Sequence, residues 1–227
     1  MKLSVIIPVY NEKETILEIV GKVKVVDLKK EILIVDDGST DGTKEQLKSL
    51  EGDEEVRIFY HQTNQGKGSA IRTALEQVQG DLVIVQDADL EYDPQDYIKL
   101  VRPIMEGRAE VVYGSRYLNE KKRHRFTKFK MGVLLLNFLV KLLYGFHITD
   151  EATCYKVFKA DLLKSLSLKC KKFEFCPEVT AKILKRGHKI IEIPIFYEPR
   201  SVEEGKKIGW KDGLSAVVTL IKYRFFD

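Results

Sequence analysis

Residues 86–94 read QDADLEYDP and set three carboxylates, Asp87, Asp89 and Glu91, within five positions directly after the apolar run DLVIVQ. Each carboxylate there raises the cost of ionising its neighbours, so the cluster is stable only when positive charge is held between them. A divalent metal meets that need. Asp87 and Asp89, two apart at the end of a strand, can place one carboxylate beside a nucleotide ribose or a metal and the other on a metal that also binds a diphosphate. An acidic turn before Pro94 is the plainer reading, but it leaves Asp89 and Glu91 repelling each other without compensation.

Two further stretches bear on the same chemistry. In LIVDDGSTDGT, Asp36 and Asp37 end an apolar run, where a carboxylate can hydrogen-bond a ribose or a base edge and Gly38 permits a tight turn. The same stretch suits an Asx turn, with Asp41 or Thr40 capping the helix that follows. In QGKGS (65–69) a Walker A loop fails, because His61 and Gly68 stand where that loop needs a Gly and a Ser or Thr. What remains is either a plain helix start or a glycine turn whose exposed amides, with Lys67, suit an anion.

The elements that must position these residues follow from the apolar spacing. Apolar runs at 3–9, 31–37, 56–60, 81–86 and 110–115 alternate with helical patterns at 12–26, 43–50, 68–79 and 94–106. Strands apolar on both faces and separated by helices imply a parallel sheet covered on both sides. Ligands of such sheets bind at the carboxyl ends of the strands, where the loops here carry NE, DDGST, NQGKG and QDADLE. No repeat or low-complexity linker interrupts the chain. One continuous domain over 1–227 is expected, with a first half at 1–116 of nucleotide-binding type and a second half at 117–227 of different character.

The chain has 227 residues, 44% of them hydrophobic, enough for a sizeable core. Its 38 basic against 34 acidic residues are too even a balance for whole-surface nucleic-acid binding. Three cysteines without a CxxC pair indicate neither a disulfide framework nor a zinc site, and imply a reducing, cytoplasmic setting. The opening MKLSVIIPVY lacks a cleavage site and reads as a first strand rather than a signal peptide.

The second half begins with a basic run, NEKKRHRFTKFK (119–130), which leads into MGVLLLNFLVKLLYGF (131–146). As a helix that apolar segment covers about 24 Å, short of the ~30 Å hydrocarbon core, and Asn137 and Lys141 interrupt one face. It is expected to lie in the lipid interface or against the domain, not to span. The C-terminal DGLSAVVTLIKYRFFD repeats the theme: Leu214, Val217, Val218, Ile221 and Phe225 share one face, opposite Ser215, Thr219 and Lys222. Two such helices with a basic leader favour peripheral association with a membrane surface.

In order and spacing, PVYNE (8–12), VDDGSTDGT (35–43), NQGKGSA (64–70), DADLEYDP (87–94) and GSRY (114–117) resemble glycosyltransferase family 2. The nearest likeness is to its polyprenyl-phosphate glycosyltransferases, the group containing dolichol-phosphate mannosyltransferase. TDEATCYKVF (149–158) and residues 175–213 extend the resemblance over nearly the whole chain. It implies an α/β GT-A fold, with a Rossmann-like, mostly parallel central sheet flanked by helices. Such a fold binds a nucleotide sugar over the first four strands and Mg2+ or Mn2+ through Asp87, Asp89 and Glu91.

By that likeness Pro8, Tyr10, Glu12 and Asp37 contact the nucleoside, and Lys67, Asp87, Ala88 and Asp89 complete the nucleotide-sugar site. Glu91 stands where the mannosyltransferases usually have Gln. Arg200 and Lys206 match a basic pair that closes over the donor diphosphate, where two cations stabilise the leaving group, and Gly205 and Gly209 would let that loop act as a lid. Arg116 would hold the lipid phosphate through bidentate hydrogen bonds. A serine that the family often carries in the amphipathic region falls near Val133 and is not matched; Arg123, Arg125 or Lys128 are the available substitutes.

A phosphate monoester has a second pKa of ~6, so at neutral pH it attacks with little help from a base, whereas an alcohol needs one. With a lipid phosphate, Asp150 only orients groups; with a sugar hydroxyl, Asp150 or Glu178 must act as general base. Three functions stay open. The first is inverting transfer of a hexose from a UDP- or GDP-sugar to dolichyl or undecaprenyl phosphate at the cytoplasmic face of a membrane. The second is family 2 transfer to a saccharide hydroxyl in cell-surface glycan synthesis. The third is a non-catalytic, membrane-docked nucleotide-binding module, which would have no need to crowd charge so expensively. Anchoring would come from the chain's own helices or from a separate membrane subunit.

Overall fold

A computed structural model describes residues 1–118, 128–200 and 209–226 of the protein. The first half alternates as the apolar spacing requires: β1 (Leu3–Val9), α1 (Ile16–Lys24), β2 (Lys30–Asp36), α2 (Thr43–Lys48), β3 (Val56–Tyr60), α3 (Lys67–Glu76), β4 (Leu82–Val85), α4 (Tyr97–Met105) and β5 (Val111–Ser115). There follow α5 (Lys128–Tyr144), β6 (Lys156–Lys159), α6 (Ala160–Ser165), α7 (Phe175–Lys185), β7 (Ile190–Pro194) and α8 (Trp210–Phe225).

Among the described residues the strands form a seven-stranded sheet in the order β3-β2-β1-β4-β6-β5-β7. β1 to β4 run parallel, and every residue of β1, β2 and β4 is buried, as strands covered on both faces demand. β6 is the exception to the parallel pattern: it enters antiparallel between β4 and β5, pairing Val157 with both Ile84 and Val112. β7 then pairs parallel with β5. The carboxyl ends of β1, β2, β4 and β5 therefore open on one side of the sheet, and their loops gather there.

α5 and α8 pack against each other, and α8 also covers α7. On α5, Val133, Leu136 and Val140 face inward, while Met131, Leu134, Leu135, Phe138 and Leu142 are exposed. On α8 the inward face is Ala216, Thr219, Leu220 and Tyr223, and Leu214, Val218, Ile221 and Phe225 face out. The more apolar face of α8 is thus the outer one. Its inner face is stitched by polar contacts instead: Ser215 Oγ donates to Glu174 Oε1 at 3.1 Å, and the Tyr144 hydroxyl donates to the Leu220 carbonyl at 2.6 Å. Among the described residues no helix is long and apolar enough to cross a membrane.

Candidate active site

The loops after β1, β2 and β3 are laced together at the sheet's carboxyl end. Gly38, at φ +74°, brings the turn so close that a Cβ there would lie 2.7 Å from the Thr63 carbonyl carbon. That approach lets Asp37 reach the next loop. Its carboxylate accepts from the Gln65 and Gly66 amides at 2.9 and 2.7 Å, and His61 Nδ1 lies 2.7 Å from it. Asp37 thereby organises the 61–66 turn with both oxygens already engaged. Asp41 accepts from the Thr43 amide at 2.9 Å, but the N-cap of α2 is Gly42, so Asp41 closes the turn leading into the helix instead of capping it as expected. Pro8 is buried within β1, Tyr10 is half-buried at its end, and the Glu12 amide donates to Thr43 Oγ1 at 3.0 Å.

The glycine turn before α3 corrects the expectation of open amides. The Gly68 and Ser69 amides donate to the carbonyls of Lys172 and Lys171 at 2.8 and 3.0 Å, because residues 170–172 lie directly against the turn. Lys67 instead pairs with Asp87, and its Nζ is 3.7 Å from Cys154 Sγ. Burial acts to lower the Lys67 pKa, and the adjacent Asp87 charge outweighs it, holding the ammonium above its ordinary value.

Asp87, Ala88 and Asp89 leave β4 behind a fully buried Gln86, whose Nε2 donates to the Asp87 carbonyl at 2.9 Å while its Oε1 accepts from the hydroxyls of Tyr155, at 2.6 Å, and Tyr97. That buried amide fixes the direction in which the acidic loop departs. Asp89 Oδ1 accepts the Glu91 amide at 3.1 Å, a tight turn that sends the Glu91 side chain away from Asp87. Arg200 fills the gap between the acids: Nη2 lies 3.0 Å from Asp89 Oδ2 and Nη1 lies 3.2 Å from Glu12 Oε2. Glu91 accepts from the Tyr197 hydroxyl and the Arg200 amide, each at 2.8 Å.

Positive charge is therefore held among the carboxylates, as their crowding requires, and in this structure it belongs to Arg200 and Lys67. Compensation at Asp89 is incomplete. Burial first, then the charges of Asp87 and Glu91, push its carboxyl up to about 7 against the pull of Arg200. The three acids do not form a ready-made cage: among the described residues no group of three His, Cys, Asp or Glu side chains is placed to hold a metal.

The part of the site where the sequence places the acceptor is built around Arg116, directly after β5. Its Nε and Nη2 donate to the two oxygens of Asp150 at 2.7 Å each, and its amide donates to Asp150 Oδ2 at 3.0 Å. The Asp150 side chain is 0% exposed and that of Arg116 12%. Asp150 is held in turn, with its loop, by Glu192, which accepts from the Thr149 and Asp150 amides at 2.8 and 3.1 Å. The rings of Tyr197 and Tyr117 flank the Arg116 guanidinium at 4.9 and 5.7 Å. Glu178, the other acid that could serve as a base, is buried against Lys182 at 2.8 Å and accepts the Lys169 amide at 2.7 Å.

A cavity of about 290 Å³ opens along α5, lined by Tyr117, Lys130, Leu134, Asn137, His147 and Ile148, among others. Lys130 was not among the residues singled out from the sequence, although its spacing from Leu134 and Asn137 along one helical face is a signal for it. Gln86 left no signal of its own. Lys206, Arg123 and Arg125 lie outside the described residues, as does the side chain of Lys128.

A family model described as Glycosyl transferase family 2 matches residues 4–167. UDP-N-acetylglucosamine–dolichyl-phosphate N-acetylglucosaminyltransferase of Methanococcus voltae is 33% identical over 228 residues, covering 91% of this chain and 90% of that protein. Undecaprenyl-phosphate mannosyltransferase of Micrococcus luteus is 28% identical over 232 residues, covering 98% and 94%. Among solved structures, glucosyl-3-phosphoglycerate synthase from Mycobacterium tuberculosis in complex with Mn2+, UDP and phosphoglyceric acid superposes with a TM-score of 0.75 at 19% identity, covering 100% of this chain and 79% of that one. The likeness is one of fold, and the fold is GT-A.

Proposed function

The chain belongs to glycosyl transferase family 2, and from that premise we propose that it transfers a hexose, with inversion, from a nucleotide-diphosphate sugar to a polyprenyl phosphate at a membrane surface. The names of its relatives support a lipid-phosphate acceptor. The observation that carries the proposal is the engagement of Asp150. With both oxygens on Arg116 and no exposure, it cannot take a proton from an alcohol, and Glu178 is buried against Lys182. A phosphate dianion needs no such base. Asp150 instead locks the guanidinium so that its remaining N–H donors are preset for an anion.

On the donor side, Arg200 Nε is buried without a hydrogen-bond acceptor among the described residues, a donor that suits a diphosphate oxygen. The acids suit a hard divalent cation such as Mg2+ or Mn2+: Asp87 and Asp89 offer carboxylate oxygens on one loop, and Asp89 lacks full compensation. Magnesium characteristically binds one or two carboxylates together with substrate phosphates, so the lack of an all-protein cage does not tell against it. Asp87 and Asp89 would hold the ion, and when bound it would supply positive charge to the departing diphosphate. Glu91 is committed to Tyr197 and to the amide of Arg200.

Docking to the membrane is supported by the outward apolar rows of α5 and α8. The test is incubation with labelled nucleotide sugars and dolichyl or undecaprenyl phosphate, with and without Mn2+. A labelled lipid is the expected product. Label in a soluble glycan but never in lipid would overturn the acceptor assignment in favour of a hydroxyl. Nucleotide binding without transfer, unchanged in Asp89→Asn, would reduce the protein to a binding module.

A further inference from the structure

Tyr197, just past β7, touches both halves of the site. Its ring centroid lies 4.9 Å from Arg116 Cζ, and its hydroxyl donates to Glu91 Oε2 at 2.8 Å. A bridge to Tyr92 holds it there, with the two rings 5.1 Å apart. The residues after it grip the same acid: the Glu198 amide donates to the Glu91 carbonyl at 2.9 Å, and the Arg200 amide donates to Glu91 Oε1 at 2.8 Å. Glu91 thus straps down the segment that delivers Arg200 to Asp89 and Glu12. On the acceptor side, Asp150 grips one edge of the Arg116 guanidinium through Nε and Nη2 and leaves its face to the ring. A ring stacked on the cation restricts the remaining rotation.

We infer that Tyr197 is a positioning residue serving both substrates through one side chain: the ring, stacked on Arg116, orients it for the acceptor phosphate, and the hydroxyl, through Glu91, fixes Arg200 for the donor diphosphate. The inference rests on the lipid-phosphate reading above. It separates two losses that a merely structural tyrosine would show together. Removing the hydroxyl disturbs the donor side and, on the acceptor side, costs only the hydroxyl's own contact with Arg116. Removing the ring disturbs both.

The test compares Tyr197→Phe with Tyr197→Leu by calorimetry, using a water-soluble short-chain prenyl monophosphate and, separately, UDP with Mn2+; melting temperatures report whether each variant folds. A cation–π contact of about 0.5–2 kcal/mol corresponds to roughly a two- to thirtyfold change in affinity. Tyr197→Leu is expected to weaken the prenyl monophosphate within that range, and Tyr197→Phe, which keeps the stacked ring, to weaken it less. Both variants are expected to weaken UDP several-fold, as loss of a hydrogen bond to a charged group does. In an Arg116→Lys background, Tyr197→Leu is expected to have little further effect on the prenyl monophosphate.

Equal acceptor losses in the Phe and Leu variants, or none in Leu, would overturn the role of the ring. UDP affinity unchanged in Tyr197→Phe would overturn that of the hydroxyl. A wild-type protein that binds UDP but no prenyl monophosphate would overturn the acceptor reading itself, a failure visible before any variant is made.

Discussion

Asp150→Asn tests the acceptor reasoning directly. The substitution keeps the shape of the side chain but removes its charge, and it turns one acceptor oxygen into an NH2 group facing the Arg116 fork. Three hydrogen bonds are at stake, at 2.7, 2.7 and 3.0 Å, in a pair with one side chain at 0% and the other at 12% exposure. Removing one partner of a buried ion pair costs about 3–5 kcal/mol, and the retained amide oxygen places this case at the lower end, about 3 kcal/mol. For a chain of this size each kcal/mol lowers Tm by about 2–4 °C, which gives a fall of about 6–12 °C. Steady-state kinetics are expected to show KM for the prenyl phosphate raised about tenfold or more, KM for the nucleotide sugar nearly unchanged, and the shape of the kcat pH profile preserved. The result that would refute the reasoning is a wild-type profile with an acidic limb that disappears in Asp150→Asn while the acceptor KM stays put. Asp150 would then be a base, and the acceptor a hydroxyl.

Asp89 predicts an inverse dependence of metal-free stability on pH. Its carboxyl is raised from 3.8 to about 7 in the folded protein, so its contribution to stability is complete below the unfolded value and is lost as pH rises through about 7. Without metal, Tm is expected to fall between pH 6 and pH 8. Asp89→Asn is expected to reduce that fall, and Mn2+ to raise the wild-type Tm more at pH 8 than at pH 6; a Mn2+ shift that is the same at both would contradict it. For the outer faces of α5 and α8, Phe138→Glu or Val218→Glu is expected to reduce co-sedimentation with anionic vesicles by roughly tenfold each, since an apolar side chain of this size is worth about 1.5–3 kcal/mol on full burial. Trp210, the chain's single tryptophan and 77% exposed, is expected to shift its emission to the blue on binding; partitioning unchanged by either substitution would count against docking through these faces.

The parallel core was legible because LSVIIPV, EILIVD and LVIV are apolar without alternation, and only strands covered on both faces read that way. β6 was not. Its four residues, KVFK, carry too little pattern, and its place depends on partners such as Ile84 and Val112, distant in sequence. Within the site, Asp87 and Asp89 announced themselves by crowding at a strand end. The aim of Glu91 did not, because it is set by Tyr197 and Arg200 more than a hundred residues later. The internal partners of Asp37 were hidden for a related reason: the Gln65 and Gly66 amides and the His61 ring approach it only because Gly38 folds the turn tightly. On α8, helical spacing identified the apolar row but could not say whether it faced in or out. The structure turns Ala216, Thr219, Leu220 and Tyr223 inward, with Ser215 bonded to Glu174, and leaves Leu214, Val218, Ile221 and Phe225 outside.

Asn137 sits on α5 between its outward row and the loop that supports Arg116. Its Nδ2 donates to the Thr149 carbonyl at 2.7 Å, and its Oδ1 accepts the Glu151 amide at 2.9 Å, on either side of Asp150. One side-chain amide thus rivets the helix to the loop that cradles Arg116. Under the proposed docking, with α5 bedded about 5–10 Å into the headgroup layer, the arginine would be carried to a set height above the acyl chains. A lipid's phosphate could then be met where it already lies, with its tail left in the bilayer.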